Sequence, residues 1–263
     1  MIIENNNSIT VDVIIPNYNK FSYLEKSILS VINQTYEKWI LYIIDDNSTD
    51  KSHQVIDKFK NNKKINIIKL KKNMGPSFCR NLGIRNSKSP YISFLDSDDY
   101  WTNDKLELQL SFMIKNNFNF TYTDYISIYE NIKKDNFETR TNLKDSFKFN
   151  EFILNSSINT STVIIKKNVL NNIKYKNVKL LEDYLFKCEI LRKGIMAKKF
   201  NKSLAFYRIN NKNRSRDKLA NLICLWKINK NYNNLSFFKN LKSLIMISLN
   251  SLKKYGLNKY RAS

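Results

Sequence analysis

A chain of 263 residues with 45 Lys/Arg against 23 Asp/Glu carries a net charge of +22, yet 42% of its residues are hydrophobic and it holds 16 Phe, 15 Tyr and 3 Trp. That balance excludes wholesale disorder and fits one fair-sized domain with an appendage. Four Gly and three Pro exclude collagen-like and Pro-rich architectures, and neither GxGxxG nor GxxxxGK[ST] occurs.

Residues 11–16 form a short apolar run ended by Pro16, and after a polar turn Phe21, Leu24, Ile28, Val31 and Ile32 recur at helical spacing. Ser22 and Glu25 have capping-box spacing at the start of that helix. A second strand over 39–44 runs into Asp45-Asp46-Asn47-Ser48-Thr49-Asp50, whose Ser, Thr and Asp are suited to cap a helix reaching about Lys60. Residues 65–70 predict a third strand, and Gly75-Pro76 opens a helix to about Ser87, with Pro in the first turn. A fourth strand over 91–95 ends in Asp96-Ser97-Asp98-Asp99, with Asn103 or Asp104 capping the next helix. Strands alternating with helices at this pitch predict an α/β fold with a mostly parallel sheet covered on both faces, and chemistry at the carboxyl ends of the strands.

The pattern loosens after residue 117: aromatic strand-like residues 118–125, an Asn/Lys-rich stretch to Lys144, a strand over 161–166, and a helix over 182–192. Beyond Arg214, Leu219, Ile223 and Trp226, then Leu241 to Leu252, predict two amphipathic or partly buried helices dressed in Lys. Charge follows the same division: residues 1–110 carry +2 and residues 111–263 carry +20, with 17 basic residues against Asp217 alone from Lys193 onward. Such a surface expects an anionic partner: nucleic acid, acidic lipid or a phosphorylated substrate. Three widely spaced cysteines, Cys79, Cys188 and Cys224, argue against a disulfide framework and for a reducing compartment. The polar first ten residues show no secretory signal, and no run of about 18 apolar residues could span a bilayer, so a cytoplasmic protein is expected, peripheral on the inner membrane face where its basic segment holds it there.

Two acidic clusters, at 45–46 and 96–99, each follow a strand directly and would meet at one sheet edge. Carboxylates gathered on loops are hard-oxygen ligands suited to Mg²⁺ or Mn²⁺. Unless a cation or a substrate donor neutralised them they would repel one another.

Five segments in order carry a resemblance: Val13-Ile-Ile-Pro-Asn-Tyr-Asn19, Ser30-Val-Ile-Asn-Gln-Thr35, Ile44-Asp-Asp-Asn-Ser-Thr-Asp50, Gly75 to Ile84, and Phe94-Leu-Asp-Ser-Asp-Asp-Tyr-Trp101. Together they resemble the successive motifs of family 2 glycosyltransferases, and the likeness resumes at Leu181-Glu182-Asp183 and Phe206-Tyr207-Arg208. The resemblance implies a GT-A fold, a Rossmann-like sheet with helices on both faces. It divides the chain into a glycosyltransferase domain over 1–215, with a nucleotide-sugar half over about 1–105 and an acceptor half over about 106–215, and a basic helical segment over 216–263.

Carried over by position, the resemblance places Pro16, Tyr18 and Asp46 at the nucleobase, Arg80 and Asp96 at the donor, and Asp98 as ligand of a Mn²⁺ or Mg²⁺ ion bridging the diphosphate. Asp99 is a loop or sugar contact, and Asp183, at a helix start, is the catalytic base. The implied reaction is inverting transfer from a nucleotide-sugar, UDP favoured, to a glycan or lipid-linked glycan acceptor in bacterial lipopolysaccharide, lipooligosaccharide or capsule synthesis. The sequence departs from the family's pattern after Tyr207: the His and Ser/Thr expected nearby are replaced by Ile209-Asn-Asn-Lys-Asn-Arg-Ser215, and the chain's one histidine, His53, reads as a surface residue of the second helix. Lys212, Arg214 or Arg216 would then bring positive charge to the diphosphate. Residues 122–179, with Asn159-Thr160-Ser161-Thr162, are expected to shape the acceptor pocket. Two other classes compete: a nucleic-acid-binding module built on the basic aromatic C-terminus, which leaves the acidic edge unexplained, and a non-catalytic carbohydrate-binding relative, against which the retained Asp98 and Asp183 argue.

Overall fold

A computed structural model describes residues 9–129, 137–139, 143–209 and 218–255. Its first half alternates strand and helix: β1 (Val11–Asn17), α1 (Phe21–Ile32), β2 (Trp39–Asp45), α2 (Ser52–Asp57), β3 (Ile65–Lys69), α3 (Pro76–Asn86), β4 (Tyr91–Phe94), then the two-residue β5 (Tyr100–Trp101) and α4 (Lys105–Lys115). The second half contributes β6 (Phe120–Tyr129), β7 (Phe137–Thr139), β8 (Ser146–Phe147), α5 (Phe149–Phe152), β9 (Ile164–Lys166), α6 (Glu182–Arg192), β10 (Ala197–Ile209), α7 (Lys218–Asn231) and α8 (Phe237–Tyr255). The ten strands of the described residues belong to one sheet, ordered β3-β2-β1-β4-β9-β6-β10-β5, with β7 beside β6 and β8 beside β10. The long ladders, β1 with β2, β2 with β3, β1 with β4 and β6 with β10, are parallel; the short strands pair antiparallel.

Alternation along β1 explains the layering. Val11, Val13 and Ile15 pack with Leu24, Ile28 and Val31 of α1 and with Leu106, Leu110 and Met113 of α4. Ile14 faces the opposite core, built with Cys79 of α3, Phe152 of α5, residues 184–186 of α6 and Leu225 and Ile228 of α7. Strands buried on both faces must be apolar nearly throughout, which is why β2 reads as a continuous hydrophobic run up to Asp45 and β1 as one interrupted only by Asp12 before Pro16. Gly83 sits where α3 crosses β1, and a Cβ there would lie 2.6 Å from Ile14 Cγ2, so only glycine lets the helix approach this closely. The one carboxylate inside β1, Asp12, is fully buried and accepts hydrogen bonds from the Lys88 and Ser89 amides and from the Ser87 and Ser89 hydroxyls, closing the loop after α3.

Three local expectations are corrected. The capping box of Ser22 and Glu25 is not made: α1 starts two residues earlier than a Ser22 cap would set, with Lys20 at the cap position, its Phe21 amide donates 2.9 Å to Asp50 Oδ2 from the neighbouring loop, and Glu25 pairs with Lys58. Neither Asn103 nor Asp104 caps α4 with its side chain; Gln34 Oε1 accepts the Leu106 amide at 2.8 Å while Gln34 Nε2 donates to the Ser30 and Thr102 carbonyls, tying the two helices together. The strand expected over 161–166 is shorter, Ile164–Lys166, and is preceded by a single 3₁₀ turn over Thr160–Thr162. Pro76 does open α3, behind Gly75 at φ 84°, and α6 spans the predicted residues.

Candidate active site

The loops that follow β1 and β2 are locked to each other. Asn17 Nδ2 donates to Asp45 Oδ1 (2.8 Å) and Ser48 Oγ (3.1 Å), while Asn19, in the left-handed region at φ 52°, accepts the Thr49 and Asp50 amides. Asn side chains tolerate that conformation because they bond locally to the backbone. The polar residues of these two motifs are therefore mostly scaffold, and they leave Pro16, Tyr18 and Asp46 facing a cavity.

That cavity encloses about 670 Å³ at the carboxyl ends of β1, β2 and β4. Pro16, Tyr18, Asp46, Arg80, Asp96, Asp98 and Asp183 all line it, so seven residues spread over 168 positions of sequence meet in one place. Tyr18 offers its ring at the rim, 46% exposed. Asp46 is buried and its two oxygens accept the Met74 (2.6 Å) and Gly75 (2.8 Å) amides, fixing the turn into α3. Asp99 does not line the cavity; it is buried beneath the loop, accepting from Ser161 Oγ and from the Arg208 amide. Burial, with Asp98 and Asp96 alongside, pushes its carboxyl well above the ordinary range.

Asp98, Asp96 and Glu182 are each paired with a cation from within the chain. Lys20 Nζ reaches Asp98 Oδ2 at 2.6 Å. Arg80, 6% exposed, holds Asp96 Oδ1 at 2.6 Å with one terminal nitrogen and Glu182 Oε1 at 3.2 Å with the other, its guanidinium 5.2 Å from the Tyr175 ring centre. Arg80 thus bridges the loop after β4 to the start of α6, with its shorter ion pair to Asp96 of the loop. Burial lowers the Arg80 pKa, but Asp96, Tyr175 and Glu182 outweigh it and hold the guanidinium firmly charged.

Asp183 lies in the first turn of α6, where unpaired amides favour an anion. The helix is entered through Leu181 at φ 63°, a left-handed conformation that costs a non-glycine residue about 1–3 kcal/mol and recurs at functional sites. Asp183 Oδ2 accepts from Lys187 Nζ at 2.7 Å and Thr160 Oγ1 at 3.3 Å, and Lys187, itself 2% exposed, also meets Thr160 Oγ1 at 3.1 Å. Burial raises the Asp183 pKa, while the Lys187 ammonium and its hydrogen bond, Arg80 and the Tyr184 amide together hold it below the usual carboxylate value. The carboxylate is ionised at neutral pH and remains 37% exposed toward the cavity.

Residues 12–173 match the family model described as glycosyl transferase family 2. The chain belongs to this family. A Bacillus subtilis (strain 168) protein named for teichuronic acid biosynthesis, the glycosyltransferase TuaG, is 30% identical over 93% of this chain and 96% of its own. The Escherichia coli protein WfgD, named as a UDP-Glc:alpha-D-GlcNAc-diphosphoundecaprenol beta-1,3-glucosyltransferase, is 29% identical over 83% of this chain and 84% of its own. Among solved structures, Staphylococcus aureus TarS 1–349 in complex with UDP-GlcNAc superposes with a TM-score of 0.72 at 18% identity, covering 96% of this chain and 78% of that one. The fold is GT-A.

Several residues of this glycosyltransferase's cavity were not singled out from sequence. Lys20, Asn73 and Asn221 line it, the last from α7, together with Leu180. Lys187 could have been found from its i,i+4 spacing to Asp183; Lys20, 78 residues from Asp98, could not. Asn159 and Thr160, expected at the acceptor side, do line the cavity, and Tyr207 and Arg208 join them from β10. Lys212, Arg214 and Arg216 lie outside the described residues. His53 is exposed on α2, its ring nitrogen 3.1 Å from the Asp50 carbonyl, and does not line the cavity. All three cysteines are free; Cys79 backs the cavity, and burial pushes its thiol up to about 12, so it stays protonated.

Proposed function

We propose that this glycosyltransferase moves a sugar from a UDP-linked donor to a lipid-linked glycan acceptor, with inversion, in the synthesis of a cell-surface polysaccharide. One observation carries the reading: the loop after β4, with Asp96 and Asp98, and the start of α6, with Asp183, line the same cavity as Pro16, Tyr18 and Asp46. The names of TuaG and WfgD support the pathway and the acceptor class, and the UDP-GlcNAc complex of TarS supports the donor class.

In this reading the exposed Tyr18 ring covers the nucleobase, and Asp46, held by two amides, accepts from its ring N–H with the lone pairs left over. Asp183 takes the proton of the acceptor hydroxyl as that oxygen forms its bond to the anomeric carbon and the bond to the diphosphate breaks. Thr160 and Lys187 hold the carboxylate in place, and Lys20 brings positive charge to the cavity beside Asp98.

The donor set suits a divalent ion of the Mg²⁺ or Mn²⁺ kind. Among the described residues no group of three or more His, Cys, Asp or Glu is placed to hold an ion. Such ions are commonly held by one or two carboxylates with substrate phosphates and water, and Asp98 supplies a carboxylate on the cavity wall. A divalent ion there would neutralise charge on the departing nucleoside diphosphate.

The test is hydrolysis of a panel of nucleotide sugars with Mn²⁺ or EDTA. Release of UDP from one donor, abolished by EDTA and reduced at least about tenfold in Asp98→Ala, is the expected result. No turnover and no nucleotide binding by the folded wild type would overturn the reading.

Lys187→Met tests the base through its pH dependence. Turnover requires ionised Asp183, so the rate falls as pH drops through that group's pKa. Removing the ammonium deletes the largest influence holding the pKa down and leaves burial, which raises it. The acid limb of the pH–rate profile for kcat is therefore expected to move toward neutrality, with little change on the alkaline side; an unmoved acid limb would remove Asp183 from the base role.

A further inference from the structure

Helix α8 packs on the protein through Leu244 and Ile247 together with small polar residues. Asn240 is buried and donates to the Trp226 carbonyl at 3.1 Å, Ser243 is buried and donates to the Ile153 carbonyl, and Asn250 donates to the Leu154 carbonyl at 3.1 Å. A second set of apolar residues faces outward. Phe238, Leu241, Ile245, Leu249 and Leu252 follow one another at steps of three and four, so they form a single stripe along the helix, with Phe238 81% and Ile245 51% exposed. Lys239 and Lys242 are exposed beside the stripe. A continuous apolar stripe of five large residues in water is what a monomeric protein ordinarily avoids, and it marks an interaction surface.

The charge around it decides the occupant. From Lys218 to the C-terminus the chain has nine Lys/Arg and no Asp/Glu. A second copy would present the same basic surface and repel. An anionic bilayer satisfies both features: acyl chains take up the stripe while headgroups meet the lysines, the behaviour of an amphipathic helix lying in the interface. The helix lies on that surface and does not cross it, since no described helix is long and apolar enough to span a membrane.

We propose that the outward face of α8 docks this glycosyltransferase on an anionic lipid surface. Its position relative to the cavity gives the docking a purpose. On α7, which packs against α8 and meets it through Trp226 and Phe237 with ring centres 5.5 Å apart, Asn221 lines the cavity while Leu219 and Ile223 on either side of it are exposed. The hairpin that carries the lipid-facing stripe therefore also forms part of the cavity wall. A lipid-linked acceptor would be met at the surface where it resides, and for that purpose, though not for the binding itself, the proposal rests on the acceptor class inferred above.

The experiment is co-sedimentation of the full chain with vesicles of phosphatidylglycerol and phosphatidylcholine, against vesicles of phosphatidylcholine alone. Binding to the anionic vesicles, weakened by salt and by Lys239→Glu with Lys242→Glu, and reduced at least about tenfold by Ile245→Asp with Leu249→Asp, is expected. The substituted positions are exposed, so each variant should keep the wild-type Tm and the wild-type rate of nucleotide-sugar hydrolysis without vesicles. Absence of binding by the folded wild type, or binding indifferent to Ile245→Asp with Leu249→Asp, would overturn the proposal. So would self-association in solution that this variant abolishes, which would give the face to a second copy. Hydrolysis measured on the same samples separates the readings: intact hydrolysis without binding sinks the docking alone, and binding without hydrolysis sinks the enzymatic reading alone.

Discussion

Asp183→Asn is expected to lower kcat for sugar transfer by about 10²- to 10⁴-fold, the range in which a positioned general base contributes, with the donor KM nearly unchanged. The substitution keeps the shape of the side chain and its contact with Thr160, and removes only the ability to take a proton. It has one structural side effect, because Lys187 is buried and loses its counter-charge. Combining Asp183→Asn with Lys187→Met removes that unpaired charge, so the double variant should recover Tm without recovering turnover. Recovery of both would make the carboxylate a structural partner of Lys187; measuring kcat, KM and Tm on the three proteins decides it.

Arg80→Met is expected to be the most destabilising substitution at the site, at about 3 kcal/mol. Removing one member of a buried ion pair costs about 3–5 kcal/mol because the partner is left charged and unpaired, and the lower end applies because Asp96, 31% exposed, regains some water. For a protein of this size that corresponds to a fall in Tm of roughly 6–12 °C. Lysine should not rescue it, since a single ammonium cannot hold Asp96 and Glu182 in the forked geometry of a guanidinium. Activity should fall with stability, because the same side chain joins the loop that carries Asp98 to the helix that carries Asp183. A thermal melt of Arg80→Met within about 2 °C of wild type would show that the triad contributes little.

The first hundred residues were legible because their signals are local. β1 and β2 are predominantly apolar runs, Gly75-Pro76 marks the entry to α3, and each acidic cluster closes or follows its strand directly. The ends of helices were less legible because their caps come from elsewhere in the chain: Asp50 serves α1 and Gln34 serves α4, and no local pattern reports a partner 29 or 72 residues away. The longest strand, β10, escaped notice altogether. Lys198, Lys199 and Lys202 interrupt its apolar character, and register shifts between Phe200 and Ala205 break the period of two by which a strand is recognised. The two-residue β5 and β8 carry too little sequence to signal anything. At the site the carboxylates of the two loops announced themselves by clustering, whereas Lys20, which pairs with Asp98 from 78 positions away, is one lysine among many in a basic chain.

Strand β4 pairs with β1 on one side and with β9 on the other, so the portion of the molecule that would receive the donor and the portion that would receive the acceptor share one continuous sheet. The floor of the cavity therefore has no hinge at its centre, and the two portions cannot swing together as jaws. Fitting around a substrate falls to the rim: the turns after each strand and the start of α6. With a fixed floor, the loops on the side assigned to the acceptor would be free to change without moving Asp98 or the β1 and β2 turns, so that one shared strand would let the two substrates of the proposed reaction be tuned separately.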